Sequence, residues 1–179
     1  MRRRQLVFGY GSLAGDLDGT VAQLPGHRRV WGVAMDNSAD LPGYKHYLLR
    51  ADGSRPRIYV AFLDLVQDAT SAVNGVLRPV GDSVLRELDR RERNYDRVDV
   101  TGAIAGVSGT VWAYVGSADG RARLREARDR GLAVIGRDYL TDVRAGFAAL
   151  GPAQLAAFEG SSDLDGLPVW DLERISHAA

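Results

Sequence analysis

The chain has 179 residues, 45% of them hydrophobic, and its 23 basic residues are balanced by 23 acidic ones. That is enough to bury a core as one globular unit, and zero formal net charge excludes the basic footprint of a nucleic-acid-binding protein. No apolar run approaches the roughly 18 residues a membrane span needs, and the lack of cysteine removes disulfides, thiol nucleophiles and thiolate metal sites.

Met1, Arg2, Arg3 and Arg4 resemble the start of a signal peptide, but residues 6–10 are too short for the apolar region that must follow. A cytoplasmic protein is expected. Residues 6–10 read as a strand that stops in the loop Gly9-Tyr10-Gly11-Ser12-Leu13. Glycine there permits positive φ and close approach of a ligand to the main chain, and successive N–H groups at such a turn form a concave donor site. An ordinary turn after a buried strand fits the same residues. Residues 16–26, with Gly19, Pro25 and Gly26, read as irregular, and 27–35 as a strand. The polar excursion 36–56 carries Tyr44, His46 and Tyr47; its length fits a pocket lining or a surface loop with its own small cluster.

Two strands at 58–66 and 72–80 precede a helix capped by Asp82 or Ser83 and running to about Asn94. Strands at 97–101 and 110–115 follow, then an Arg-rich helix at 119–132, an amphipathic helix at 138–150 and a short helix from Pro152. This order lacks the regular alternation of a doubly wound sheet, so an α+β fold with helices packed on an antiparallel or mixed sheet is expected. The expected division is a domain over residues 1–160 and a polar C-terminal tail over 161–179, with one apolar patch at 167–170.

The central helix holds the most informative residue. At about 100° per residue, Val84, Leu85, Leu88 and Tyr95 share one stripe, and Glu92 falls inside it four residues after Leu88. Burying an unpaired carboxylate is costly, so Glu92 must be paired, neutralised or open to a cavity. An ion pair with Arg91 or Arg97 and a functional carboxylate both meet that condition. Gly9-Tyr10-Gly11-Ser12-Leu13-Ala14 formally satisfies the dinucleotide pattern G-x-G-x-x-A, but Gly15, Gly19 and Pro25 interrupt the helix that must follow. Ser12 lacks a nucleophile-elbow context, and His27, His46 and His177 have no metal-ligand spacing. Lys45 is the sole lysine, and only five acidic residues are glutamate.

Three motifs together resemble the γ-glutamylcyclotransferase superfamily, which includes ChaC-type enzymes of glutathione metabolism and AIG2-like proteins. Phe8-Gly9-Tyr10-Gly11-Ser12-Leu13 is similar to the family's Y-G-S-[LN] substrate loop, in its ChaC-type form. Leu88-Asp89-Arg90-Arg91-Glu92, followed by Tyr95, is similar to the L-D-x-x-E…Y segment. Tyr139, Gly146 and Gly151 match a later Y-x6-G-x4-G segment. Arg93 departs from the glycine that often follows the glutamate. The resemblance implies a mixed, partly closed, barrel-like β-sheet with flanking helices, and an enzyme that cyclises a γ-glutamyl peptide, amino acid or amine to 5-oxoproline. It implies Glu92 as catalytic acid/base, Tyr10, Gly11, Ser12, Leu13, Tyr95 and Tyr139 as substrate-binding residues, and no metal or organic cofactor. The expected partner is a small-molecule γ-glutamyl substrate, with no nucleic acid or membrane, and the protein is expected to be a monomer or homodimer. The alternative is a non-catalytic metabolite-binding or regulatory protein on the same fold.

Overall fold

A 22-residue strand, β4 (Tyr59–Val80), is the spine of the molecule in the computed structural model, which describes residues 4–15 and 19–176. Its two apolar stretches, one around Val60–Leu65 and one around Val73–Leu77, are buried, as expected of a strand covered on both faces. Along one edge it pairs antiparallel with β2 (Thr20–Asp36). Its other edge is shared: β1 (Gln5–Gly9) pairs antiparallel with the C-terminal part, and β7 (Ala133–Gly136) pairs parallel with Tyr59 and Val60.

Beyond β1 lie β6 (Thr110–Gly116), parallel to it, and β5 (Tyr95–Asp99), antiparallel to β6; β8 (Val169–Trp170) flanks β7. The order β5-β6-β1-β4-β7-β8, with β2 on β4, makes a seven-stranded mixed sheet. The sheet is open: among the described residues no pairing joins β2 to β5. A second, two-stranded sheet joins β3 (His46–Leu49) to β9 (Leu172–Ile175). Four helices complete this α+β fold: α1 (Asp82–Arg91), α2 (Ala118–Asp129), α3 (Arg137–Ala149) and α4 (Pro152–Gly160).

Several elements differ from the sequence expectation. The stretch expected to be irregular is already β2 from Thr20 onward. Gly26, at φ 73°, absorbs a register shift between Pro25 and His27, so a bulge carries the strand past its proline. The two strands expected at 58–66 and 72–80 are one. Helix α1 ends at Arg91, and Tyr95 opens β5 instead of extending the helical stripe. The strands β3, β7, β8 and β9 are additional to those expected. Residues 1–3 and His177 lie outside the described residues.

The main core gathers Phe8, Leu24, Leu63, Leu65 and Ile135 with Phe147 of α3 and Phe158 of α4. Each side chain of that size contributes roughly 1.5–3 kcal/mol on burial, so this core rather than helix propensity holds α3 and α4 in place. Among the described residues no helix is long and apolar enough to cross a membrane.

Candidate active site

The loop after β1 is built by close backbone approach. A Cβ on Gly9 would sit 2.7 Å from the Leu13 carbonyl carbon, so only glycine lets the chain fold back here. Residues Ser12–Gly15 then form a 3₁₀ turn, and the Ala14 N–H donates to the Gly11 carbonyl at 3.0 Å. On the other side, Arg29 Nε donates to the Tyr10 carbonyl at 2.9 Å. A trans peptide points its N–H opposite to its C=O. The Gly11 and Ser12 amides are therefore turned away from Arg29 and from the inside of the turn, respectively.

Arg29 is 2% exposed. It also donates to Ser161 Oγ at 2.7 Å and to the Asn74 carbonyl at 2.5 Å, and lies 5.0 Å from the centroids of both Phe147 and Phe158. Burial pulls its guanidinium down to about 10, which still leaves it charged near neutrality. The sequence carries a signal for it: on a strand, Arg29 shares the face of Trp31, two residues on, and Trp31 is buried.

Helix α3 closes the loop from outside. At Gly146 a Cβ would fall 2.9 Å from Gly15 Cα, so the absence of a side chain lets the helix settle on the turn. Two turns earlier on the same helix, the Tyr139 hydroxyl comes within 3.3 Å of where a Cβ on Gly11 would lie. Tyr139 packs edge-on against Phe62 and Trp31, and the Leu63 main chain hydrogen-bonds its hydroxyl.

Glu92 caps the C-terminal end of α1, where its N–H donates to the Leu88 carbonyl at 2.8 Å. Leu85 and Leu88 are buried beneath it, so the stripe argument holds for the helix proper. Its side chain is 18% exposed and accepts from Arg91 Nε at 3.0 Å; the Arg91 side chain is 52% exposed. Arg97 pairs with Asp89 instead.

All seven residues singled out in the sequence, Tyr10, Gly11, Ser12, Leu13, Glu92, Tyr95 and Tyr139, line one recess of about 30 Å³ together with Leu63 and Tyr114. Five of them (Ser12, Leu13, Glu92, Tyr95 and Tyr139) also line a wider cavity of about 500 Å³ that adjoins the recess. Tyr10 donates to the Tyr114 carbonyl at 2.6 Å and Tyr95 to the Leu63 carbonyl at 2.7 Å. Burial, reinforced by the charge of Glu92, raises the phenol pKa of Tyr10, Tyr95 and Tyr139. All three stay neutral, fixed by hydrogen bonds.

The excursion 36–56, which carries β3, lines the outer cavity with Tyr44, Lys45 and Tyr47. Asn37, fully buried, ties it down: its Nδ2 donates to the Tyr47 and Pro56 carbonyls at 2.9 and 3.0 Å, and its Oδ1 accepts from the Tyr47 N–H at 2.7 Å. Asn94 Nδ2 donates to the Tyr44 hydroxyl at 3.1 Å and links the excursion to the end of α1. Another buried polar unit outside the sequence reading is Asp64, which is 0% exposed, pairs with Arg121 at 2.8 Å and accepts from the Gly116 N–H.

Residues 7–132 match the family described as "Gamma-glutamyl cyclotransferase, AIG2-like". The chain belongs to this family. Solved structures share the fold of this γ-glutamylcyclotransferase-family protein at low identity. One titled "Gamma-glutamyl cyclotransferase" is 16% identical, with a TM-score of 0.54 over 88% of this chain and 85% of that one. YkqA from Bacillus subtilis is 15% identical, with a TM-score of 0.57 over 93% of this chain; the chain spans 56% of YkqA. The uncharacterized protein loc79017 from Homo sapiens is 14% identical, with a TM-score of 0.54 over 89% of both chains. No curated protein matches the sequence. Among the described residues of this family member, no group of three or more His, Asp or Glu is placed to hold a metal ion.

Proposed function

We propose that the protein is a γ-glutamylcyclotransferase-type enzyme that converts a γ-glutamyl peptide, amino acid or amine into 5-oxoproline and the free amine. One observation carries this reading: a partly buried carboxylate, Glu92, shares a recess with the turned-out amides of Gly11 and Ser12 and with three neutral phenols.

In this reaction the substrate's α-nitrogen attacks its own γ-carbonyl carbon. The new C–N bond closes the lactam ring, and the C–N bond to the departing amine breaks. Nucleophile and electrophile share one molecule, so folding the substrate into a near-attack geometry supplies much of the catalysis. An α-amine has a reference pKa of about 8 and is mostly an unreactive ammonium near neutrality. Glu92 takes a proton from it and returns a proton to the departing nitrogen. Two protons pass between the nitrogens over the whole reaction, and Glu92 ends as it began. The Gly11, Ser12 and Leu13 amides hold the glutamyl carboxylate or the developing oxyanion. Tyr10, Tyr95 and Tyr139 wall the recess and exclude water.

The Arg91–Glu92 ion pair at 3.0 Å favours a second reading, a non-catalytic binding protein on the same fold. Incubating the purified protein with a panel of γ-glutamyl compounds and detecting 5-oxoproline separates the two. The enzyme forms 5-oxoproline from at least one of them; silence across the panel, with tight binding of one ligand, supports the binding protein.

A further inference from the structure

Beside Glu92 the cavity opens into an annex of about 110 Å³ lined by Gly43, Tyr44 and Ser176 and by five cations: Lys45, Arg90, Arg91, Arg93 and Arg174. Among the described residues no acidic side chain lines it. Asp138, Asp142 and Glu173 belong to the larger cavity and do not reach it. Two of the five cations are already engaged: Arg91 with Glu92, and Arg93 with the Pro42 carbonyl and the Tyr44 ring.

Lys45 is different. Its ammonium sits 4.2 Å from the Phe62 ring centroid and 5.7 Å from that of Tyr44, half-buried, with no carboxylate or carbonyl partner among the described residues. The two ring faces, and Glu92 on the same cavity, offset its desolvation. Five like charges held together against the single carboxylate of Glu92, at the mouth of a reaction recess, mark where a negative group of the ligand goes.

We propose that Lys45, with Arg174 and Arg90 beside it, receives a carboxylate on the departing amine, so that the substrates are γ-glutamyl amino acids or peptides with a free acid and not γ-glutamyl amines. This rests on the cyclotransferase reading, since the annex adjoins the carboxylate that serves the departing nitrogen. With the glutamyl carboxylate in the first of the two roles proposed for the loop amides, which do not line the annex, the annex is left to the second half of the substrate.

The experiment compares kcat/KM for γ-glutamylalanine, its C-terminal amide and a γ-glutamyl diamine with a terminal ammonium. The parent prefers the free acid by at least about tenfold, a preference carried in KM. In Lys45→Met the acid-to-amide ratio falls several-fold, toward a floor set by the arginines, and Lys45→Arg restores most of it; a merely structural lysine would lower both substrates together. Equal or better turnover of the amide or the diamine by the parent overturns the inference and leaves the cyclotransferase reading standing.

A second measurement does not need turnover. Lys45 is the only lysine, so its reductive methylation in the intact Glu92→Gln protein is read unambiguously by peptide mass spectrometry. γ-Glutamylalanine slows the modification at least about fivefold, and its amide does not. Equal protection by both, by neither, or by inorganic phosphate at the same concentration overturns the assignment.

Discussion

Arg29 Nε and the Tyr10 carbonyl, 2.9 Å apart, join the buried face of β2 to the loop that ends β1. Through this bond a guanidinium well away from the reacting atoms sets the direction of the Gly11 amide. The same side chain holds Ser161 and Asn74, so one residue couples the loop, β4 and the end of α4.

Replacing Arg29 by lysine keeps the charge but not the fork that reaches three separate acceptors. Each buried acceptor left without a donor costs about 1–3 kcal/mol. Arg29→Lys is expected to lower the thermal midpoint by several degrees, at about 2–4 °C per kcal/mol for a chain of this size, and to cut turnover by loosening the loop. A midpoint and a kcat equal to those of the parent would show that the clamp has no role.

Two glycines two residues apart are expected to respond differently. A Cβ at Gly9 falls 2.7 Å from backbone atoms that cannot move aside, so Gly9→Ala destabilises the fold. At Gly11 the nearest atoms are the Tyr139 hydroxyl at 3.3 Å and Leu63 Cδ1 at 3.4 Å, both side-chain ends. Gly11→Val is expected to fold with near-parental cooperativity while losing about 10²–10³-fold in kcat, the range for a lost oxyanion donor. Urea denaturation read beside turnover makes the comparison; an active, well-folded Gly11→Val protein would reduce the loop to a turn.

Gly9, Gly11 and Glu92 were legible in the sequence because each breaks a local pattern: glycines at the end of an apolar strand, and a glutamate on the apolar stripe of a helix. Tyr95 and Tyr139 stood out as site residues only through the family resemblance. The elements around them were legible where periodicity persists, as in α1 and α3. Legibility failed where a pattern is interrupted without the structure being interrupted. Pro25 and Gly26 look like a loop, yet a bulge on an edge strand accommodates both. The polar residues 68–71 look like a break in β4, yet they only bulge out of the ladder: the strand is continuous, and pairing with β2 holds on either side, at Gln67 and at Ala72. Lys45 stood out in the composition as the only lysine, but its place depends on Asn37 pinning the excursion, a long-range contact that no local pattern encodes.

Burial brings the Lys45 ammonium down to about 8, with Arg174 and Arg91 repelling it and Glu92 attracting it. Free-acid and amide substrates share the same α-amine titration, so their kcat/KM ratio isolates the lysine. That ratio is expected to fall as pH rises through about 8, toward a floor set by the arginines. Stability moves the other way. The folded-state pKa lies below the reference 10.5, so between these values the unfolded chain binds more protons and this group's contribution rises with pH. Urea midpoints of the parent should therefore gain on those of Lys45→Met from pH 8 to 10. A ratio and a midpoint difference both flat across that window would contradict the assignment.

The most direct test of the central claim is the rate of 5-oxoproline formation by Glu92→Gln on the best substrate of the parent. The amide keeps the size and shape of the carboxylate and can remain beside Arg91, but it cannot accept the ammonium proton. The variant is expected to fold normally, to bind substrate, and to lose at least about 10²-fold in kcat, the lower end for general acid–base catalysis. Its thermal midpoint should hold or rise, because an amide is cheaper to bury than a charge. Parental turnover in Glu92→Gln would make Glu92 a structural carboxylate, paired with Arg91, and would contradict the cyclotransferase mechanism proposed for this site.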